Sequence, residues 1–120
     1  VPGADPQARR RARLRGISGE DRVAELLADE GWLLRDRNWI GGGGELDLIV
    51  CRDGCWRMVE VKTRDPEDLD GLEAIDARKQ SKLRSAAEAY LAALNEPVVE
   101  VAFLVALVEG ATIRLYDDAF

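Results

Sequence analysis

Apolar residues recur along this chain in two rhythms, every third to fourth position and every second position, and the change from one to the other marks out its elements. After Ser18-Gly19-Glu20-Asp21, Val23, Leu26 and Leu27 share one helical face. Ser18 suits the N-cap with Asp21 as its reciprocal partner, and Gly31 suits the left-handed position past the end, so a helix is predicted over about 19–30. Trp32, Leu33 and Leu34 open a strand that runs out near Asn38, and Gly41 to Gly44 read as a pliable hinge into the next strand. Residues 45–51 and 55–64 are β-rich and flank Asp53-Gly54, which predicts an antiparallel hairpin. A second helix starts near Asp76 or Ala77, with Leu83, Ala86, Ala87, Tyr90, Leu91 and Leu94 on one buried stripe. Pro97 bounds a strand over 98–108, Glu109-Gly110 turns it, and a last strand covers 111–116. The sequence contains no internal repeat.

At 120 residues and 47% hydrophobic content the chain suits one domain over about 17–120 with a continuous core. Residues 1–16 hold Pro2, Gly3, Pro6 and a run of arginines without apolar periodicity, which predicts a disordered basic tail or an arm that grips phosphates. No apolar run approaches the ~20 residues of a membrane-spanning helix. The arginine-rich start lacks the apolar stretch of a signal peptide, so the expected address is cytoplasmic, with no membrane partner.

The absence of histidine removes Ser-His and Cys-His nucleophile pairs and every His-ligated metal site. The two cysteines, Cys51 and Cys55, are too few for a four-thiolate zinc site or a disulfide framework and read as reduced packing residues. A net charge of −6 opposes wide nonspecific adhesion to nucleic acid. The charge is uneven, however, with basic residues opening the chain and an acidic loop over 65–76.

The chemistry concentrates at the hairpin. With Asp53-Gly54 as the turn and no bulge, Arg52 pairs with Cys55, and counting back sets Asp47 opposite Glu60 and Glu45 opposite Lys62. Two opposed carboxylates repel unless a cation lies between them or one keeps its proton. Oxygen ligands without His or Cys favour Mg²⁺ or Mn²⁺. A lysine beside such an ion can stabilise charge developing on phosphorus or orient the attacking water. Spacing alone equally allows a partly solvated strand face on which Glu60 and Lys62 are neutralised by neighbours. Glu20, in the first turn of helix one, is sufficiently explained by the helix dipole. Arg78, Lys79, Lys82 and Arg84 crowd the start of helix two, where the dipole does not help cations; a phosphate backbone or a solvated face would account for them.

Gly19-Glu20-Asp21, Gly44-Glu45-Leu46-Asp47-Leu48-Ile49, Val59-Glu60-Val61-Lys62-Thr63-Arg64 and Arg78-Lys79-Gln80 before Tyr90-Leu91 together resemble the YraN-like family. That bacterial group is similar to archaeal Holliday junction resolvases within the PD-(D/E)XK, or restriction-endonuclease-like, nuclease superfamily. The resemblance covers about residues 16–95. It implies an α/β fold with a mixed central sheet flanked by helices in the order αβββαβ, here with an extra C-terminal strand. It further implies that Asp47, Glu60, the Val61 carbonyl and Glu20 hold Mg²⁺ or Mn²⁺ and that Lys62 is the catalytic cation. Gln80, Lys79, Arg78 and Arg64 would lie near substrate, and a homodimer is expected by analogy. The expected function is Mg²⁺-dependent hydrolysis of phosphodiester bonds in DNA, branched or junction DNA included. The alternatives are a nuclease-like module that binds nucleic acid or a protein partner, suggested by the acidic balance, and hydrolysis of a small phosphoester.

Overall fold

The computed structural model describes residues 19–64 and 75–120. The basic tail, the Ser18 cap and nearly all of the acidic loop lie outside them. Helix α1 occupies 19–29, and five strands follow as β1 (Leu33–Gly41), β2 (Gly44–Arg52), β3 (Cys55–Thr63), β4 (Glu100–Glu109) and β5 (Thr112–Tyr116), with helix α2 (Ala77–Ala92) between β3 and β4. The strands form one open sheet in the order β1-β2-β3-β4-β5. Only the β3–β4 pair is parallel, because α2 provides the crossover that a parallel connection needs; the other three pairs are antiparallel. The element order anticipated from the hydrophobic pattern, helix, three strands, helix and two strands, is the observed one. Among the described residues no helix is long and apolar enough to cross a membrane.

Helix α1 ends as its sequence predicts. Gly31 sits at φ +92°, its N–H donates to the Ala28 carbonyl at 3.0 Å, and the Trp32 N–H donates to the Leu27 carbonyl at 3.0 Å. This pair of bonds is the Schellman arrangement, which needs a residue without a Cβ. At α2, Asp76 is the N-cap, its carboxylate accepting from the Lys79 N–H at 2.9 Å.

Two apolar layers cover the sheet. One joins Leu83, Ala86, Ala87 and Tyr90 of α2 to Leu46, Ile49, Trp56, Met58 and Phe103. The other joins Val23 and Leu27 of α1 to Leu48, Val50, Val59, Leu104, Ala106 and Val108. On β3 the facing alternates regularly, with Met58 toward α2 and Val59 toward α1. On β2 it does not. Val50 and Leu48 face α1 and Ile49 faces α2, so Leu46 should face α1, yet it packs in the α2 layer. The alternation slips by one residue at Asp47. Its neighbour on β1 is Asn38, which falls between the pairs Arg37–Leu48 and Trp39–Leu46 and has φ +49°. Asparagine is among the few side chains that tolerate this left-handed backbone.

Two expectations about the strands need correction. β1 does not run out near Asn38 but continues to Gly41, and Gly41 to Gly44 are not a pliable hinge. Gly41 pairs with Gly44 around a tight turn in which Gly42 and Gly43 have φ +60° and +86°. The turn is seated on α2: Ser85 Oγ donates to the Gly42 carbonyl at 2.5 Å, and a Cβ on Gly44 would lie 2.5 Å from the Lys82 carbonyl oxygen. Glycine is used here for close approach of two backbones as much as for turning.

Candidate active site

The β2–β3 hairpin follows the register counted from sequence as far as its ladder extends. Asp53 and Gly54 turn with φ +52° and +79°, Arg52 pairs with Cys55, and the pairs continue to Leu48–Val59. There the ladder stops, so the predicted pairings of Asp47 with Glu60 and of Glu45 with Lys62 are not made. The slip at Asp47 is the physical reason. In an unbroken two-residue hairpin Val61 would exchange both backbone bonds with Leu46. Instead its N–H donates to Asp47 Oδ2 at 2.9 Å. Glu45, at the exposed end of β2, pairs with Ile40 of β1.

Asp47 and Glu60 nevertheless meet, within hydrogen-bonding reach of each other. Glu60 is only 6% exposed. Burial first, and the Asp47 charge second, push its carboxyl up to about 7, against the opposing pull of Lys79 and Lys62. Lys79 Nζ lies 3.5 Å and Lys62 Nζ 3.9 Å from the same oxygen, Glu60 Oε1. Glu60 and Lys62 share the face of β3 that looks toward α2, and Lys79 reaches down from that helix. The cation at the dipole-disfavoured start of α2 is therefore placed against a buried carboxylate.

Glu20 approaches from the α1 side. A Cβ on Gly19 would lie 2.8 Å from Thr63 Oγ1, so the start of α1 is pressed against the end of β3. Burial raises the Glu20 carboxyl most, followed by the Asp47 charge; Arg37 and a hydrogen bond from Asn38 oppose the shift. Among the described residues, Glu20 Oε1 is the one buried side-chain oxygen or nitrogen without a hydrogen-bond partner. Asp47, at the facing slip, thus senses Glu20 from one layer and Glu60 from the other.

As they stand, no three Asp, Glu or Cys side chains among the described residues form a group that could hold a metal ion. Mg²⁺ needs fewer, since it is commonly bound by one or two carboxylates and keeps waters and substrate phosphates for its other positions. Asp47 and Glu60 match that donor set, and the orphaned Glu20 oxygen is a further acceptor nearby. A residue's C=O points to the same side of a strand as its N–H, so the Val61 carbonyl is directed toward β2, where the ladder has ended.

The other candidates are dispersed. Gln80 donates to the Ile75 carbonyl at 3.3 Å and borders a 380 Å³ groove that also contains Tyr116 and Phe120. Arg78 is exposed on the first turn of α2. The Arg64 N–H closes the end of β3 against the Val108 carbonyl at 2.8 Å. Periodicity missed Asn38; its signal was an Asn inside a strand pattern. It also missed Asp36, which accepts from Tyr90 Oη at 2.7 Å while Trp39 packs edge-on to the same ring at 5.2 Å.

The family model described as "Uncharacterised protein family UPF0102" matches residues 19–108. A UPF0102 protein of Methylorubrum extorquens is 45% identical over 76% of this chain and 71% of its own length. One from a Synechococcus strain is 41% identical over 78% and 74%, and one from Chlorobaculum parvum is 34% identical over 85% and 84%. The matched span includes the Glu20, Asp47, Glu60 and Lys62 positions.

Proposed function

Since the chain belongs to the uncharacterised family UPF0102, whose description names no activity, we propose from the site itself that the protein is a Mg²⁺-dependent endonuclease acting on DNA. The observation that carries this reading is the meeting of Asp47 with the buried Glu60 where a β-ladder ends, with two lysines on one Glu60 oxygen. Burying one carboxylate against another costs stability, and a structural ion pair does not require that arrangement. The element order is also the one expected of a restriction-endonuclease-like fold.

In this reading Asp47, Glu60, the Val61 carbonyl and Glu20 would hold the ion. When bound, Mg²⁺ supplies Lewis acidity toward the phosphoryl oxygens and lowers the pKa of water. The protein's own groups do the rest. Lys62, fixed beside Glu60 by the period of β3, stabilises the negative charge that develops on phosphorus. Lys79, whose Nζ lies 3.5 Å from Glu60 Oε1, would be placed to hold a backbone phosphate when the site is loaded. The Val61 N–H orients the Asp47 carboxylate.

Incubation with plasmid, single-stranded and branched DNA in Mg²⁺ or Mn²⁺ tests the proposal. Lys62→Ala should lose about two to three powers of ten in rate with its fold intact. Undiminished cutting by this variant, or no cutting of any DNA by the parent, would sink it. One observation favours a second reading, a nuclease-like module that binds without cutting: Lys62 and Lys79 already answer Glu60. DNA affinity that falls with salt, without turnover, would select it.

A further inference from the structure

The groove bordered by Gln80 lies beside the acidic cluster on the same face of the sheet. Glu60 and Val105 are partners across β3 and β4, and Val105 and Tyr116 are partners across β4 and β5. Partners project to one face, so Glu60, Val105 and Tyr116 form a row two strand spacings long, about 10 Å. Val105 and Tyr116 of this row line the groove.

Its volume is 380 Å³, and its lining includes Ile75, Gln80, Val105, Tyr116, Asp117 and Phe120. This is near the lower end of small-ligand pockets, room for one flat ring system and far too little for a duplex. Tyr116 is 39% exposed, a large ring on an edge strand without full cover. Phe120 stacks on Phe103 with centroids 4.6 Å apart, and the Arg84 guanidinium lies 5.6 Å from the Phe120 ring, which gives the groove a firm aromatic floor. The Gln80 amide makes one 3.3 Å bond to the Ile75 carbonyl and keeps an acceptor for a ring edge. Lys79, the residue before Gln80 on α2, has its Nζ 3.5 Å from Glu60 Oε1.

Aromatic rings for stacking, an amide for edge recognition and cations for phosphate are the set that single-stranded nucleic acid requires. Building on the nuclease reading, we propose that this groove seats one unpaired nucleobase of DNA next to the scissile phosphate placed beside Lys62. The substrate then carries an extrahelical or single-stranded nucleotide at the cleavage position. A base within a fully paired duplex is stacked on both faces and cannot enter without being extruded.

Fluorescence anisotropy in Ca²⁺ separates this proposal from the one beneath it. Three labelled duplexes of one sequence are compared: fully paired, with one unpaired nucleotide, and with an abasic site in its place. The unpaired nucleotide should bind between about five-fold and 150-fold more tightly than the abasic duplex, the range that stacking of one base supplies. Tyr116→Ala should remove that advantage and leave abasic binding unchanged, whereas Tyr116→Trp should preserve it. Lys79→Ala should weaken all three alike. Equal binding of the unpaired and abasic duplexes by the parent overturns the base-seating groove while leaving the nuclease reading intact, and needs no variant to fold. Failure to bind any of the three overturns both.

Discussion

Replacing Glu60 with Gln isolates the energetic signature of the acidic cluster. The carboxyl stands at about 7 in the folded protein against an ordinary 4.5, chiefly because it is buried and faces Asp47. A folded-state pKa above the unfolded value means that the protein binds this proton more tightly when folded, so the associated stability is full below about pH 4.5 and is lost as pH rises through 7. A shift of that size corresponds to about 3 kcal/mol, an upper figure because the lysines can relax around the ionised form. Glu60→Gln retains the shape of the neutral acid and cannot ionise. Urea unfolding in EDTA should therefore find parent and variant alike near pH 4.5 and the variant more stable by about 2–3 kcal/mol at pH 8. If Glu60 is a metal ligand as proposed, adding Mn²⁺ at pH 8 should stabilise the parent and leave the variant unmoved. A parent–variant difference that stays constant from pH 4.5 to 8 would refute the reasoning. So would a parent more stable than the variant at pH 8 in EDTA.

Two further outcomes follow from the packing. Gly44→Ala should destabilise the protein by about 1–3 kcal/mol in thermal or urea unfolding, because the added methyl meets the Lys82 carbonyl. Gly43→Asn, into open space at a φ of +86°, should cost less than about 1 kcal/mol and serves as its control. Tyr90→Phe removes the 2.7 Å bond to Asp36 beneath Trp39 and should lower stability by about 1 kcal/mol, read by the same unfolding curves.

The elements were legible because local chemistry and tertiary packing agree over most of the chain. Leu83, Ala86, Ala87 and Tyr90 recur at helical spacing and are the buried face of α2. Asp53-Gly54 demands a turn with positive φ at both positions and forms one. The proximity of Asp47 and Glu60 was legible too, though by a route the counting did not foresee. A strict period of two places them as ladder partners, whereas the strands part there and the Asp47 carboxylate itself replaces a backbone acceptor. That slip lies opposite Asn38, at φ +49° on the neighbouring strand, and no pattern along β2 alone encodes it. The four glycines were misjudged for a related reason: an approach between a turn and a helix some forty residues apart leaves no periodic trace. Lys79 stood out as a cation at the wrong end of a helix, but the carboxylate it serves could be found only in three dimensions.

Because β2 changes facing partway along its length, its two ends answer to different constraints on chain length. Removing or inserting one residue between Gly44 and Leu48 would turn Leu46 away from the α2 layer or carry the acid away from its partners, without any change of residue type. The same alteration beyond Arg52 would fall on the turn and its bond from the Val99 N–H, away from the acidic cluster. Length, as much as identity, is therefore the property of this short stretch that the chemistry requires to be held fixed.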